Sequence, residues 1–131
     1  MQKRTINPWT WQEQRGFDQA IEISRFDRLL FCSGQSSVDA DGNVQHAGDM
    51  RGQVELVIKN IQTVLTAAGY SWQDIVEMKW YTTDLEELSA SSDVFESLLG
   101  AEQIRAAQSV YVVSEFAMPG LMLEIEVTAA K

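Results

Sequence analysis

The sequence predicts an α+β fold of two layers, one mixed sheet of about six strands with two helices on one face. Three observations lead there. Leu121–Ala129 alternates as a strand must, with Leu123, Ile125, Val127 and Ala129 on one face and Met122, Glu124, Glu126 and Thr128 on the other. Met50, Val54, Val57, Ile58, Ile61, Val64, Leu65 and Ala68 recur at three- and four-residue spacing, the stripe of a helix lying on a sheet. Segments of the two periods follow one another as β-β-β-α-β-α-β-β. The right-handed crossover rule then puts both helices on one side of the sheet.

In chain order, Arg4–Ile6 reads as a short strand ended by Asn7-Pro8, and Trp9–Arg15 as a polar loop carrying Trp9 and Trp11. Phe17–Ser24 and Arg28–Gly34 are expected to pair as antiparallel strands turned at Arg25-Phe26-Asp27. The loop Ser36–Gly48 contains the turn-forming run Asp39-Ala40-Asp41-Gly42-Asn43. Asp49 is the expected N-cap of a helix reaching Ala68, with Gly69 as its stop. Asp74–Thr83 is the next strand, with Val76, Met78, Trp80 and Thr82 on one face. Asp84 and Glu87 have capping-box spacing for a second helix that buries Leu88, Val94, Phe95 and Leu98 and stops at Gly100. Ser109–Ser114 and Leu121–Ala129 form the terminal strand pair, joined through Met118-Pro119-Gly120.

With 131 residues the chain is expected to form one domain, residues 1–131, large enough for a two-layer core. Its 19 acidic against 10 basic residues give a net charge of −9, and the basic residues are scattered. Nucleic-acid binding draws on phosphate neutralisation by Lys and Arg, so that class of partner is disfavoured. No apolar run reaches the length of a membrane span, and the first fourteen residues lack the apolar stretch of a signal peptide. A cytoplasmic, membrane-independent protein is expected. The lone Cys32 excludes an internal disulfide and, inside an apolar strand, is expected to fill space rather than act as a nucleophile. His46 sits in a turn-rich loop without a neighbouring ligand, so no metal role is expected of it. Phosphate-binding glycine motifs and a nucleophile elbow are absent. The uncovered sheet face is expected to carry Glu124, Glu126, Val110, Val112 and the strand around Trp80-Tyr81, and to mark an oligomer interface. Carboxylates on such a face can act as acid or base, orient water, or pair with a neighbouring subunit's Arg.

Several segments, in order, resemble the RidA or YjgF-type proteins, also labelled endoribonuclease L-PSP. They are Phe17-Asp18-Gln19-Ala20, Ser33-Gly34-Gln35, Gln53, Asn60-Ile61, Ala67-Ala68-Gly69, Asp74-Ile75-Val76, Thr83-Asp84-Leu85 and Glu124-Ile125-Glu126-Val127. The resemblance covers nearly the whole chain. It implies a chorismate-mutase-like arrangement assembled as a homotrimer, with a small-molecule ligand in clefts between subunits and no metal or organic cofactor. Its deaminase branch hydrolyses reactive enamines and imines to a keto acid and ammonia. By that resemblance Glu124 positions the hydrolytic water, and Ser33-Gly34 line the cleft. The family's carboxylate-clamping Arg is replaced by Gln108 in Ala106-Ala107-Gln108-Ser109, Phe17 stands where Tyr is usual, and Val110 where Cys is frequent. Gln offers a neutral amide where Arg offers a charged fork, so the chain looks like the arginine-lacking branches. The resulting expectation is an imine- or enamine-directed hydrolase. In it Glu124 handles water, Gln108 and Ser33 hydrogen-bond the substrate with backbone amides near Gly34, and Phe17 and Trp80 form an apolar wall. The alternative is a non-catalytic trimer that binds a metabolite or protein in the same cleft.

Overall fold

The structure, a computed structural model, describes residues 1–131. Six strands form: β1 (Gln2–Ile6), β2 (Ala20–Ser24), β3 (Leu29–Ser36), β4 (Ile75–Thr82), β5 (Ala107–Val112) and β6 (Leu123–Ala130). Three helices join them: α1 (Met50–Ala68), α2 (Leu85–Ala90) and α3 (Ser92–Glu102). Four strands make a mixed sheet in the order β3-β6-β4-β5, and β1-β2 make an antiparallel ribbon beside it. Ribbon and sheet touch through a parallel bridge from Asp18 to Ala107. The α+β class, the mixed sheet and the order of the strands read from the sequence are present, but the sheet has four strands where about six were expected, because β1 and β2 pair only with each other.

The pairing differs from the sequence reading in two places. β2 pairs with β1 and not with β3. The link at Arg25–Arg28 closes on the C-terminus instead, because the amides of Asp27 and Arg28 both donate to the Lys131 carbonyl, at 2.8 and 3.1 Å. The terminal runs are not a pair either: β6 lies between β3 and β4, while β5 runs parallel to β4 at the sheet edge. The reason is burial. Leu123, Ile125, Val127 and Ala129 are all inaccessible, which requires a central strand beneath a helix.

The α1 stripe packs on that face. Met50, Val54, Val57, Ile61 and Leu65 are buried with Met78, Trp80 and the inner residues of β6. Asp49 accepts from the Gly52 amide, and Gly69 closes the far end in the left-handed region, as the cap residues predict. The second predicted helix is two, α2 and α3, meeting at Ser91, and α3 runs through Gly100 to end at Gln103 with φ of 53°. In β4 a register shift between Ile75 and Glu77 turns Ile75 inward in place of Val76.

Two side-chain amides, the buried Gln53 and the half-buried Asn60, fasten α1 to the loops around it. Gln53 donates to the carbonyls of His46 and Gly120 (3.0 and 2.8 Å) and accepts from the Met122 amide (2.8 Å). Asn60 donates to the carbonyls of Ser36 and Val38, at 2.9 and 3.1 Å. Both fix the ends of strands that carry the candidate site.

Candidate functional site

Five of the six candidate residues divide between the two faces of the sheet. On the uncovered face, Glu124 of β6 stands opposite Tyr81 of β4 and Ser36 of β3. The β3–β6 ladder is interrupted between Cys32 and Gln35, leaving Ser33 and Gly34 outside the regular register, a device that re-aims backbone at functional positions. Gly34 lies directly against the Glu124 side chain: a methyl group at position 34 would collide with Oε1 and with the carboxyl carbon. The absence of a side chain at 34 is what leaves the carboxylate this place, through close approach and not through the dihedral angles of glycine. Ser36 Oγ donates weakly to Glu124 Oε2 at 3.4 Å. Ser33 is exposed at the same edge, and its carbonyl accepts from Gln35 Nε2 at 3.1 Å.

Glu124 and Glu126 share a hollow of about 270 Å³ with Tyr81, Val113, Glu115 and Phe116. Burial, and then the neighbouring Glu126 carboxylate, push the Tyr81 hydroxyl above its usual pKa, so it remains a neutral donor at physiological pH. Tyr81 stacks on Tyr111 with ring centroids 5.4 Å apart.

Gln108 and Trp80 lie on the opposite face. The parallel register pairs Met78 with Gln108 and Trp80 with Val110, so these side chains point toward the helix layer. This corrects the expectation that Val110, Val112 and Trp80 share the uncovered face with the carboxylates. Trp80 is buried edge-on against Phe95 of α3, with centroids 4.4 Å apart. Its Nε1 donates to Gln108 Oε1 at 3.1 Å, which settles the orientation of the amide and turns its Nε2 donors outward. Trp80 and Gln108 line a hollow of about 210 Å³ with Arg15, Ser92, Phe95 and Val110.

Phe17 joins neither group. It packs edge-to-face on Trp11 at 5.7 Å, and its carbonyl accepts from Arg105 Nη2 at 3.0 Å. Trp9 and Trp11 are both exposed, and the Arg15 guanidinium lies 5.5 Å over the Trp11 ring. Arg105, three residues before Gln108, is committed elsewhere: its Nη2 binds Asp18 Oδ1 at 2.7 Å, and Asp18 is only 2% exposed. Burial pushes the Cys32 thiol above its usual pKa, which keeps it protonated and unreactive. His46 faces Asp49 at 3.9 Å, and no group of three or more His, Cys, Asp or Glu side chains converges as metal ligands would.

Sequence reasoning missed the Trp80–Gln108 hydrogen bond and the position of Arg15. Neither leaves a signal in the sequence: the first depends on β4 and β5 being parallel neighbours, and the second on the Glu13–Arg15 turn lying beside α3. What the arrangement offers chemically is a carboxylate held against backbone on one face and an oriented neutral donor on the other.

The sequence profile of the endoribonuclease L-PSP family matches residues 12–131. A RutC family protein from Pyrococcus horikoshii is 30% identical over 115 residues, 88% of this chain and 86% of its own length. Among solved structures, the conserved Rid family protein YyfB from Yersinia pestis is 31% identical, covers 100% of both chains and superposes with a TM-score of 0.85. Escherichia coli TdcF, solved with bound serine, is 25% identical with a TM-score of 0.70, covering 97% of this chain and 91% of its own.

Proposed function

The chain belongs to the endoribonuclease L-PSP family, the group that includes the Rid and RutC proteins, and from that premise we propose that it is a hydrolase for a small imine or enamine. It works as a homotrimer in the cytoplasm, its ligand held in clefts between subunits without metal or organic cofactor. The observation that carries the reading is the placement of the Glu124 carboxylate against Gly34 in the interrupted β3–β6 ladder. A carboxylate so placed can orient water and accept its proton as the water attacks an electrophilic carbon.

The opposed faces support the intersubunit part of the proposal. Glu124 with Ser33 and Gly34, and Gln108 with Trp80, cannot meet within one chain, but a second copy can bring one group to the other. The exposed side chains at the uncovered face and sheet edge fit such an assembly: Phe31 is 75% exposed, Val112 63% and Val110 54%. In the assembled cleft Glu124 positions water, Gln108 Nε2 and Ser33 hydrogen-bond the substrate, and Trp80 and Phe17 supply apolar wall. The serine held by TdcF supports a ligand of amino-acid size. Cleavage of RNA is disfavoured by the net charge of −9, which repels a polyanion.

A second reading, a non-catalytic metabolite-binding trimer, is favoured by the neutral amide at Gln108, since an amide binds an anion less strongly than a guanidinium. One experiment separates the two. Imino acids are generated in situ by an amino-acid oxidase and trapped with semicarbazide, with wild type, Gln108→Arg and Glu124→Gln compared. The hydrolase reading predicts accelerated imine loss by wild type and a fall of about 100-fold or more in Glu124→Gln. Activity confined to Gln108→Arg means that the scaffold is competent but its own substrate is not an imino acid. No activity in any variant leaves the binding protein.

A further inference from the structure

Arg15 is the one cation lining the hollow beside Gln108, and no carboxylate holds it. Five other basic side chains are paired, Arg4 with Glu22, Arg51 with Asp93, Lys79 with Glu77, Arg105 with Asp18 and Lys131 with Asp74. Arg15 instead rests over the Trp11 ring, a contact that uses the face of the guanidinium and leaves its edge of N–H donors free. It is the last residue of the short 3-10 turn Glu13–Arg15, which Gly16 ends at φ of 73°, so its backbone is fixed. It also lines the adjoining hollow of about 490 Å³, shared with Arg105, and therefore stands at the junction of the two.

The donors facing this space have two distinct characters. Gln108 presents an oriented neutral NH2, because Trp80 occupies its oxygen, and suits a carbonyl-type acceptor. Arg15 presents a charged, planar fork that suits a carboxylate. Glu96, which borders both hollows, works against a second negative charge and favours a monoanion.

We propose that Arg15 is the carboxylate-recognising residue of this cleft, and that its ligand is a small monoanion with a carbonyl-type acceptor adjacent to the carboxylate. Arg15 then supplies from the loop after β1 the charge that position 108 on β5 does not. This rests on the reading of the Gln108 hollow as half of the ligand cleft.

Calorimetric titration of the assembled protein with 2-oxobutanoate and with its neutral amide, 2-oxobutanamide, tests it. Wild type is expected to prefer the carboxylate by about 10- to 100-fold, the range of a charge-assisted bidentate contact. Arg15→Gln is expected to erase that preference with the amide's affinity unchanged, Arg15→Lys to retain part of it, and Gln108→Ala to weaken both ligands. If the preference survives in Arg15→Gln while Gln108→Ala weakens both, the cleft stands and the role of Arg15 is overturned. If neither ligand binds, or Gln108→Ala changes neither affinity, both the cleft and the role of Arg15 fall.

Discussion

Residue Gly34 matters for what it lacks. The Glu124 carboxylate occupies the volume that a side chain at 34 would need, and its position depends on that space. In Gly34→Ala the flexible end of Glu124 can swing aside, so the fold is expected to survive while the carboxylate leaves its place. Turnover of the Gly34→Ala variant should fall about as far as in Glu124→Gln, and the double variant should be no worse than either single one. Additive losses in that comparison would show that the two residues act separately. Arg105 teaches the opposite lesson. Near in sequence to Gln108, it is taken up by the buried Asp18 carboxylate and the Phe17 carbonyl, so proximity along the chain does not give it a role in the hollow.

At the scale of elements, α1 is more than an apolar stripe. Gln53 sits among buried aliphatic side chains yet has its amide saturated by three backbone groups, two on the segment Gly120–Met122 that leads into β6. It sets where β6 begins, and so where Glu124 falls. Gln53→Leu keeps the volume and abandons all three bonds. It is expected to cost about 2–4 kcal/mol in urea unfolding at fixed protein concentration, since each buried polar group left unpaired costs about 1–3 kcal/mol. A loss under 1 kcal/mol would mean that the backbone finds other partners. β5 shows the same dependence on context. As an edge strand it exposes Val110, Tyr111 and Val112 across both faces, which by itself is a liability for aggregation.

For the whole molecule, that edge and the uncovered face make sense in an assembly. No helix is long and apolar enough to cross a membrane. The proposed homotrimer predicts a sedimentation mass of three 14.7 kDa chains. Phe31→Glu, which places a charge on the most exposed of these apolar side chains, is expected to shift that mass toward the monomer while circular dichroism stays unchanged. A monomeric wild type would remove the intersubunit cleft, and with it any way for Glu124 to meet Gln108.

Hydrophobic period and cap chemistry made α1 and the inner face of β6 legible in the sequence, because these signals are local: Asp49, Gly69 and the alternation from Leu123 to Ala129 act within a few residues of themselves. Glu124, Ser33 and Gly34 could be singled out beforehand through the family resemblance. Strand pairing could not be read, because a period of two says which residues share a face but not which neighbour supplies the next ladder. The antiparallel pair expected at Arg25–Asp27 was lost to Lys131, more than a hundred residues along the chain, whose carbonyl takes the amides that the turn would have used. Only the tertiary structure put β6 between β3 and β4, and that order decides the candidate site. It sets Glu124 against Gly34 on one face and leaves Gln108, locked by Trp80 and overlooked by Arg15, on the other.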